Sequence, residues 1–416
     1  MLYATVSTVY DEYASLALAL ISTCPAQRVC PELTDSAWVS LGLERAMHES
    51  STGRGFLQTQ SAAGHEGPEL THYFHTLKSP RRLQLLQELN ERVVRALREK
   101  LPDELAVFPQ LDNFDIYAGD GHWHQAASHE PMIDGKIYAT GHFYALDLRR
   151  RTLLRLATAQ GKKEHDMHVL KRLSRERLRQ GAPVGRQVIY VWDKAAIDFQ
   201  FWHQLKTTAG IYFISLEKDN MSLKVVGNKV WDKADPINHG VLQDELVATS
   251  NGVLLRRVTA QAPDTGEVRV FLTTEMNLPP GLIAHLYHRR WRIEKVFDCL
   301  KNKLNEKKSW AASPTAKAAQ AEFLCLTHNL IRGMEERLTT REGVINQPDF
   351  TRRAKRLAAQ KAATHKAVRS WPSTWDTFLK PVLYSVKLIR WLRSSILSRL
   401  TWTTALPRLQ ALYVTL

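Results

Sequence analysis

The chain has 416 residues, room for two or three domains of about 150 residues and for an apolar core without covalent staples. Its 44% apolar and 24% charged residues exclude a wholly disordered chain, and its four scattered cysteines form no C-x-x-C pair for a zinc knuckle. Lys and Arg number 57 against 42 Asp and Glu, an excess of +15 that points to nucleic acid or an acidic membrane surface as partner.

The apolar stretch Tyr13 to Ile21 follows Asp11 and Glu12 and is too short to span a bilayer, so neither a signal peptide nor a membrane span is expected, and the protein is expected to be cytoplasmic. Residues 1–105 read as helical. Asp35 and Ser36 can cap a helix running through Glu44, Ser51 to Gly55 reads as a loop, and Ser79-Pro80 opens a helix with Leu85, Leu86, Leu89, Val93 and Leu97 on one face. From Phe114 to Leu278 the periodicity is that of strands: Phe114–His124, Ile137–Leu148, Leu153–Ala159, Val188–Asp193, Gly210–Leu216, Leu223–Val226, Val253–Ala260 and Val268–Thr274. Arg149 to Thr152 is a predicted hairpin tip, and Pro263-Asp264-Thr265-Gly266 a predicted turn. Helices are expected at Glu164–Arg179, Phe199–Thr207, Gly281–Lys308 and Thr315–Thr339. Antiparallel strands followed by alternating helix and strand define an α/β arrangement. The last 66 residues, from Thr351, hold 13 Lys or Arg and a single acid, Asp376, so the positive field belongs mainly to one end.

The most informative segment is Tyr287-His288-Arg289-Arg290-Trp291-Arg292-Ile293-Glu294, continuing to Lys301. On an ideal helix Tyr287, Arg290, Glu294 and Lys301 fall within a stripe about 60° wide, which sets a phenol, a guanidinium, a carboxylate and an ammonium on one face. Arg290 and Glu294 alone would read as an ordinary i,i+4 pair. Two upstream carboxylates add weight: Asp120 inside the first strand and Asp193 at the end of the fourth. A charge in an apolar strand is costly unless it holds a cation, and strand ends of α/β sheets gather ligands.

With Asp120 and Asp193 ahead of it, the run Y-x2-R-x3-E-x6-K formed by Tyr287, Arg290, Glu294 and Lys301 resembles bacterial insertion-sequence DDE transposases, from about Phe114 to Gly333. The resemblance implies an α/β fold: a ribonuclease-H-like catalytic domain at 106–310 with a β-rich insertion at about 218–278. It would be flanked by a helical, DNA-binding region at 1–105 and a helical, basic region at 311–416. It implies metal-dependent cleavage at the ends of the element and strand transfer to target DNA. Asp120, Asp193 and Glu294 would hold two Mg²⁺ ions, for which Mn²⁺ can substitute. Tyr287, Arg290 and Lys301 would contact DNA phosphate. The implied partners are double-stranded element ends and target DNA, with a dimer in the synaptic state. The alternatives are a nuclease that cuts without joining and a non-catalytic DNA-binding relic. Two departures stand out: Gly121-His122 follows the first Asp where the family commonly has Ser or Thr, and Lys194-Ala195-Ala196 follows the second in place of an Arg-Gly-Tyr-like run.

Asp115 and Asp112 compete with Asp120, Asp198 competes with Asp193, and Asp298 lies one turn beyond Glu294. His122 and His124 share a strand face with Asp120. His165-Asp166-Met167-His168 has metal-binding letters but no evident third ligand. Trp231 could stack on a base. In the tail, Trp371, Trp375, Trp391 and Trp402 interrupt the basic run, and Arg390, Arg393 and Arg399 alternate with Leu392, Ile396, Leu397 and Leu400, a pattern expected to pack one helix face and offer the other to DNA.

Overall fold

A computed structural model describes residues 7–49, 52–64, 67–160, 164–261, 266–344, 351, 355, 358 and 386–414. Its centre is a nine-stranded mixed sheet. β1 (Phe114–His124), β2 (Thr140–Asp147) and β3 (Leu153–Thr158) form an antiparallel meander; β4 (Gln187–Val191) lies parallel to β1, and β5 (Ile211–Leu216) parallel to β4. The order β3-β2-β1-β4-β5 is the ribonuclease-H-like arrangement. Arg149 to Thr152 does turn β2 into β3: Asp147 accepts backbone N–H bonds from Arg149 and Arg150, and Arg151 takes a left-handed φ of 60°.

The insertion does not fold apart from this sheet. β6 (Lys224–Asn228), β7 (Val241–Ala248), β8 (Leu254–Gln261) and β9 (Val268–Thr273) continue it, with β9 antiparallel to β5 and β6 at the far edge. β7 was absent from the sequence expectation. Its Gln243-Asp244-Glu245 core looks like a loop, and a bulge between Val241 and Gln243 breaks the alternation. Asp244 is buried there because Arg256 on β8 reaches it with two bonds, 2.8 and 2.7 Å.

Alternation along β1 and β4 divides the core. Ile116, Ala118, Ile189 and Val191 face one cluster, Tyr117, Tyr190 and Trp192 the other. The second cluster is closed by α6 (Asp166–Arg172), α7 (Arg175–Arg179) and α8 (Phe199–Ala209). The first is closed by α1 (Val9–Ile21), α2 (Asp35–Met47), α5 (Pro80–Arg98), α9 (Pro280–Arg289), α10 (Trp291–Asn302) and α11 (Pro314–Thr340), with α12 (Val386–Leu397) and α13 (Trp402–Val414) joining it. α3 (Gly53–Ala62) and α4 (Leu70–Leu77) lie beside α2 and α5. Among the described residues no helix is long and apolar enough to cross a membrane.

Several local expectations change. Thr34, not Asp35 or Ser36, caps α2 through a bond from the Ala37 N–H; Asp35 instead binds Arg81 at 2.7 and 2.8 Å. The loop expected at Ser51 to Gly55 is already helical from Gly53, because the Thr52 hydroxyl accepts from the Gly55 N–H. The helix expected at Glu164–Arg179 is two, since Ser174 caps a new start. The helix expected at Gly281–Lys308 is interrupted at Arg290, where i→i−3 bonds (Arg290 N–H to Tyr287, Ile293 N–H to Arg290) tighten the turn, and it ends at Asn302. Pro263 to Thr265 of the predicted turn, and Trp371, Trp375 and Asp376 of the tail, lie outside the described residues.

Candidate active site

The parallel ladder between β1 and β4 pairs Ala118 with Val191, and Asp120 and Asp193 each lie two residues further in the same chain direction. The sheet therefore brings to one end two carboxylates that are far apart in sequence. α10 packs over β1 on the face of Ile116 and Ala118 and carries Glu294. Between them stands Arg290. It gives one nitrogen to Asp120 Oδ2 at 3.1 Å and the other to Glu294 Oε1 at 2.8 Å, and its carbon lies 5.8 Å from the centre of the Tyr287 ring. The tightened turn at Arg290 aims the guanidinium into the sheet while Arg289 and Arg292, on either side, turn to the buried carboxylate of Glu104.

The electrostatics follow from this enclosure. Burial pushes the Asp120 carboxyl up to about 7; Arg290 opposes the rise, and the charges of Asp193 and Asp166 add to it. Burial also raises the Tyr287 phenol, so it stays protonated. Burial works against the charge on Arg290, but Tyr287, Asp120 and Glu294 outweigh it and leave the guanidinium more firmly protonated than usual. Asp193 accepts the Ala195 N–H at 2.7 Å. Asp166, at the start of α6, is raised by burial and by Asp193, while a 2.9 Å bond from the Trp192 indole N–H works the other way.

Asp120, Tyr287, Arg290 and Glu294 thus come together, and Asp193 and Asp166 lie within electrostatic reach of Asp120. Lys301 does not join them: it is exposed, seven residues, or about 10 Å of helix, beyond Glu294. Among the described residues no three His, Cys, Asp or Glu side chains stand as a ready metal cage. The donor set nonetheless suits a hard divalent cation. It is carboxylate oxygen only, and Asp120 is a carboxylate whose ionisation stays costly even beside Arg290, which leaves room for a further cation to favour it.

The competing residues have other partners. Asp115 is held by Arg186 at 2.7 Å and Arg98 at 3.3 Å, Asp198 caps α8 and pairs with Lys171, and Asp298 accepts from Asn302. His122 stacks on Phe297 with Nε2 2.9 Å from the buried carboxylate of Glu306. His124 stacks on His142 and meets Ser309; burial lowers its pKa to about 4. His165 caps α6 through its ring nitrogen. Trp231 is half-buried under the Lys233 ammonium. Sequence reading missed the part played by two residues. Asp166 stood out only as one letter of His165-Asp166-Met167-His168 in an expected helix, and its bond to the Trp192 indole was not foreseen. Trp291, 55% exposed beside Arg290 with the Lys295 ammonium 5.8 Å from its ring, sat unremarked inside the motif.

Residues 112–330, a little over half of the chain, match the family model described as the Transposase DDE domain. That span contains Asp120, Asp193, Tyr287, Arg290, Glu294 and Lys301. A protein of Sinorhizobium fredii named "Putative transposase y4zB" is 28% identical over 163 residues, covering 36% of this chain and 45% of that protein. The similarity therefore spans less than half of the relative's length. With the strand order, the position of the carboxylates and this match taken together, the chain belongs to the transposase DDE domain family.

Proposed function

We propose that the protein is the transposase of a bacterial insertion sequence, acting in the cytoplasm, that cleaves DNA at the element's ends and transfers the freed strand to a target. The observation that carries this reading is the meeting of Asp120, from β1, with Glu294, from α10, across Arg290, with Asp193 beside Asp120 at the end of the adjacent strand.

Asp120, Asp193 and Glu294 would hold the divalent cations, Mg²⁺ or Mn²⁺. When bound, these supply activation of the attacking water or 3′ hydroxyl and neutralise charge at the phosphate. The chain's own groups do the remaining work. Arg290 serves as counter-ion to Asp120 and Glu294, and its planar fork suits bidentate capture of a phosphate once those carboxylates are engaged elsewhere. The protonated Tyr287 phenol is a hydrogen-bond donor on the same side. Lys301 offers a point charge further along the strand of DNA. Trp291, exposed and next to Arg290, suits stacking on a base. Synapsis of two ends would require a dimer on DNA.

The test is cleavage of a plasmid carrying the element's ends. Asp120→Ala, Asp193→Ala and Glu294→Ala are each expected to abolish Mg²⁺-dependent cleavage and to leave end binding in place. Wild-type protein that cuts without joining would replace this reading by a nuclease. Binding without cutting would replace it by a DNA-binding relic.

A further inference from the structure

Trp192 and Gly119 each immediately precede a carboxylate of the site, Asp193 and Asp120. The Trp192 side chain is fully buried and crosses from β4 to lie directly against the backbone of β1 at Gly119. A Cβ added at Gly119 would come within 1.8 Å of the indole Cζ3. No residue but glycine leaves this space. The ring is fixed at its far side as well: its N–H donates to Asp166 Oδ2 at 2.9 Å, and the Trp192 backbone N–H continues the β4–β5 ladder through a 3.0 Å bond to Ile214. A single ring thus touches the residues that set both carboxylate positions. It is held by an acid at the start of α6 that itself lies within electrostatic reach of Asp120 and Asp193.

We infer that Asp166, Trp192 and Gly119 form a positioning device: the Asp166–indole bond locks the ring across Gly119, and the locked ring fixes the separation of Asp120 and Asp193 for divalent metal. This rests on the proposed function above, in which those two carboxylates hold the metal. Asp166 and Trp192 are positioning residues, because they act through their neighbours. β1 stays paired with β2 through His124 and Trp192 with β5, but β1 and β4 share no ladder bond beyond Ala118 and Val191, and two cations in an in-line displacement demand a fixed spacing across that gap. A buried indole that merely needed a hydrogen-bond acceptor would place no such demand on its acceptor or on the glycine beneath it.

The experiment is Mn²⁺ binding to the full-length protein, by calorimetry and by electron paramagnetic resonance, together with thermal unfolding of each variant. Asp166→Ala and Trp192→Phe, which lose the acceptor and the donor, are expected to weaken Mn²⁺ binding about three- to tenfold, the value of one hydrogen bond. Asp166→Asn, which keeps an acceptor oxygen, is expected to stay within about twofold of wild type. Gly119→Ala is expected to weaken metal binding, and Trp192→Leu, which clears the space, to recover part of that loss when the two are combined. Folded Asp166→Ala and Trp192→Phe proteins with wild-type Mn²⁺ affinity would overturn the inference. So would Asp166→Asn as weak as Asp166→Ala, since charge and not position would then be at work. If Trp192→Phe fails to fold, the Asp166 pair decides alone. Asp120→Ala serves as the control. Wild-type Mn²⁺ binding by that variant would remove the functional reading and this inference with it, whereas loss of metal there with none in the Asp166 and Trp192 variants would remove this inference only.

Discussion

Replacing Asp120 by Asn isolates the cost of the site's most enclosed charge. Burial carries the Asp120 carboxyl from 3.8 up to about 7, with Arg290 unable to cancel the effect. A carboxyl whose folded pKa lies above its unfolded one binds its proton more tightly in the folded state. Between pH 4 and pH 7 the native protein keeps a proton that the unfolded chain has released, so stability falls as pH rises through that window. At about 1.4 kcal/mol per pH unit the full cost at pH 8 is about 4 kcal/mol, and relaxation of the site leaves about 2–4 kcal/mol to be observed. Asn is neutral throughout and keeps an oxygen for Arg290. The stability of Asp120→Asn relative to wild type should therefore grow by that amount from pH 4 to pH 8. For a chain of 416 residues this is a shift of about 2–4 °C in the unfolding midpoint. Thermal scans of both proteins in chelator at pH 4, 6 and 8 provide the measurement. Midpoints that run parallel across the range would refute the reasoning, since the carboxylate would then carry no burial cost. Adding Mg²⁺ at pH 8 should raise the wild-type midpoint more than that of the variant.

Arg290→Ala should reduce DNA cleavage and strand-end binding together while leaving Mn²⁺ affinity undiminished, because the guanidinium pairs with Asp120 and Glu294 and would compete with a cation for them; weaker metal binding in calorimetry would show that Arg290 orders the carboxylates instead. Gly281→Ala places a Cβ 1.7 Å from the Ile237 carbonyl oxygen, a backbone atom, and should cost about 2 kcal/mol or more in chemical denaturation. Arg390→Glu and Arg408→Glu, both exposed on α12 and α13, should flatten the dependence of DNA affinity on salt by about 0.9 for each phosphate no longer neutralised, and an unchanged slope would remove these helices from the DNA-binding surface.

The central sheet was readable because its strands are short apolar runs bounded by turn residues: Val188 to Val191 is buried on both faces and admits no other reading. β7 was not readable, since Asp244 looks like a loop residue until Arg256, on the neighbouring strand, is known to meet it. Of the candidate site, the spacing Tyr287, Arg290, Glu294 could be read as a helix face, and the ion pair between Arg290 and Glu294 is there. The second bond of Arg290, to Asp120, depends on how α10 lies over β1 and is written in no local pattern. Lys301 shows the reverse: helical arithmetic sets it on the same stripe, but one stripe of a helix extends past the edge of what it covers. The basic tail was half legible. Of the apolar residues expected to pack, Leu392 is buried and Ile396 and Leu400 are half-buried, but Leu397 is exposed, and Arg393 is consumed internally, on the Met47 and Lys303 carbonyls and the Glu49 carboxylate.

The pairing of α1 with the tail has a consequence for the order in which the molecule can be completed. The Val9 N–H donates to the Leu400 carbonyl at 3.0 Å and the Trp402 N–H to the Ser7 carbonyl at 2.8 Å, so the start of α1 is joined to the turn between α12 and α13, far along the chain. During synthesis α1 can form its own turns, but part of its cover emerges only once α12 and α13 have left the ribosome. A nascent chain stopped before α12 would keep the β1–β4 carboxylates and yet lack Leu388, Trp391 and Leu392 from the core that α1 shares. Translation through α12 and α13 is thus a condition for a closed core, and products interrupted before them should be met by proteases before they meet DNA.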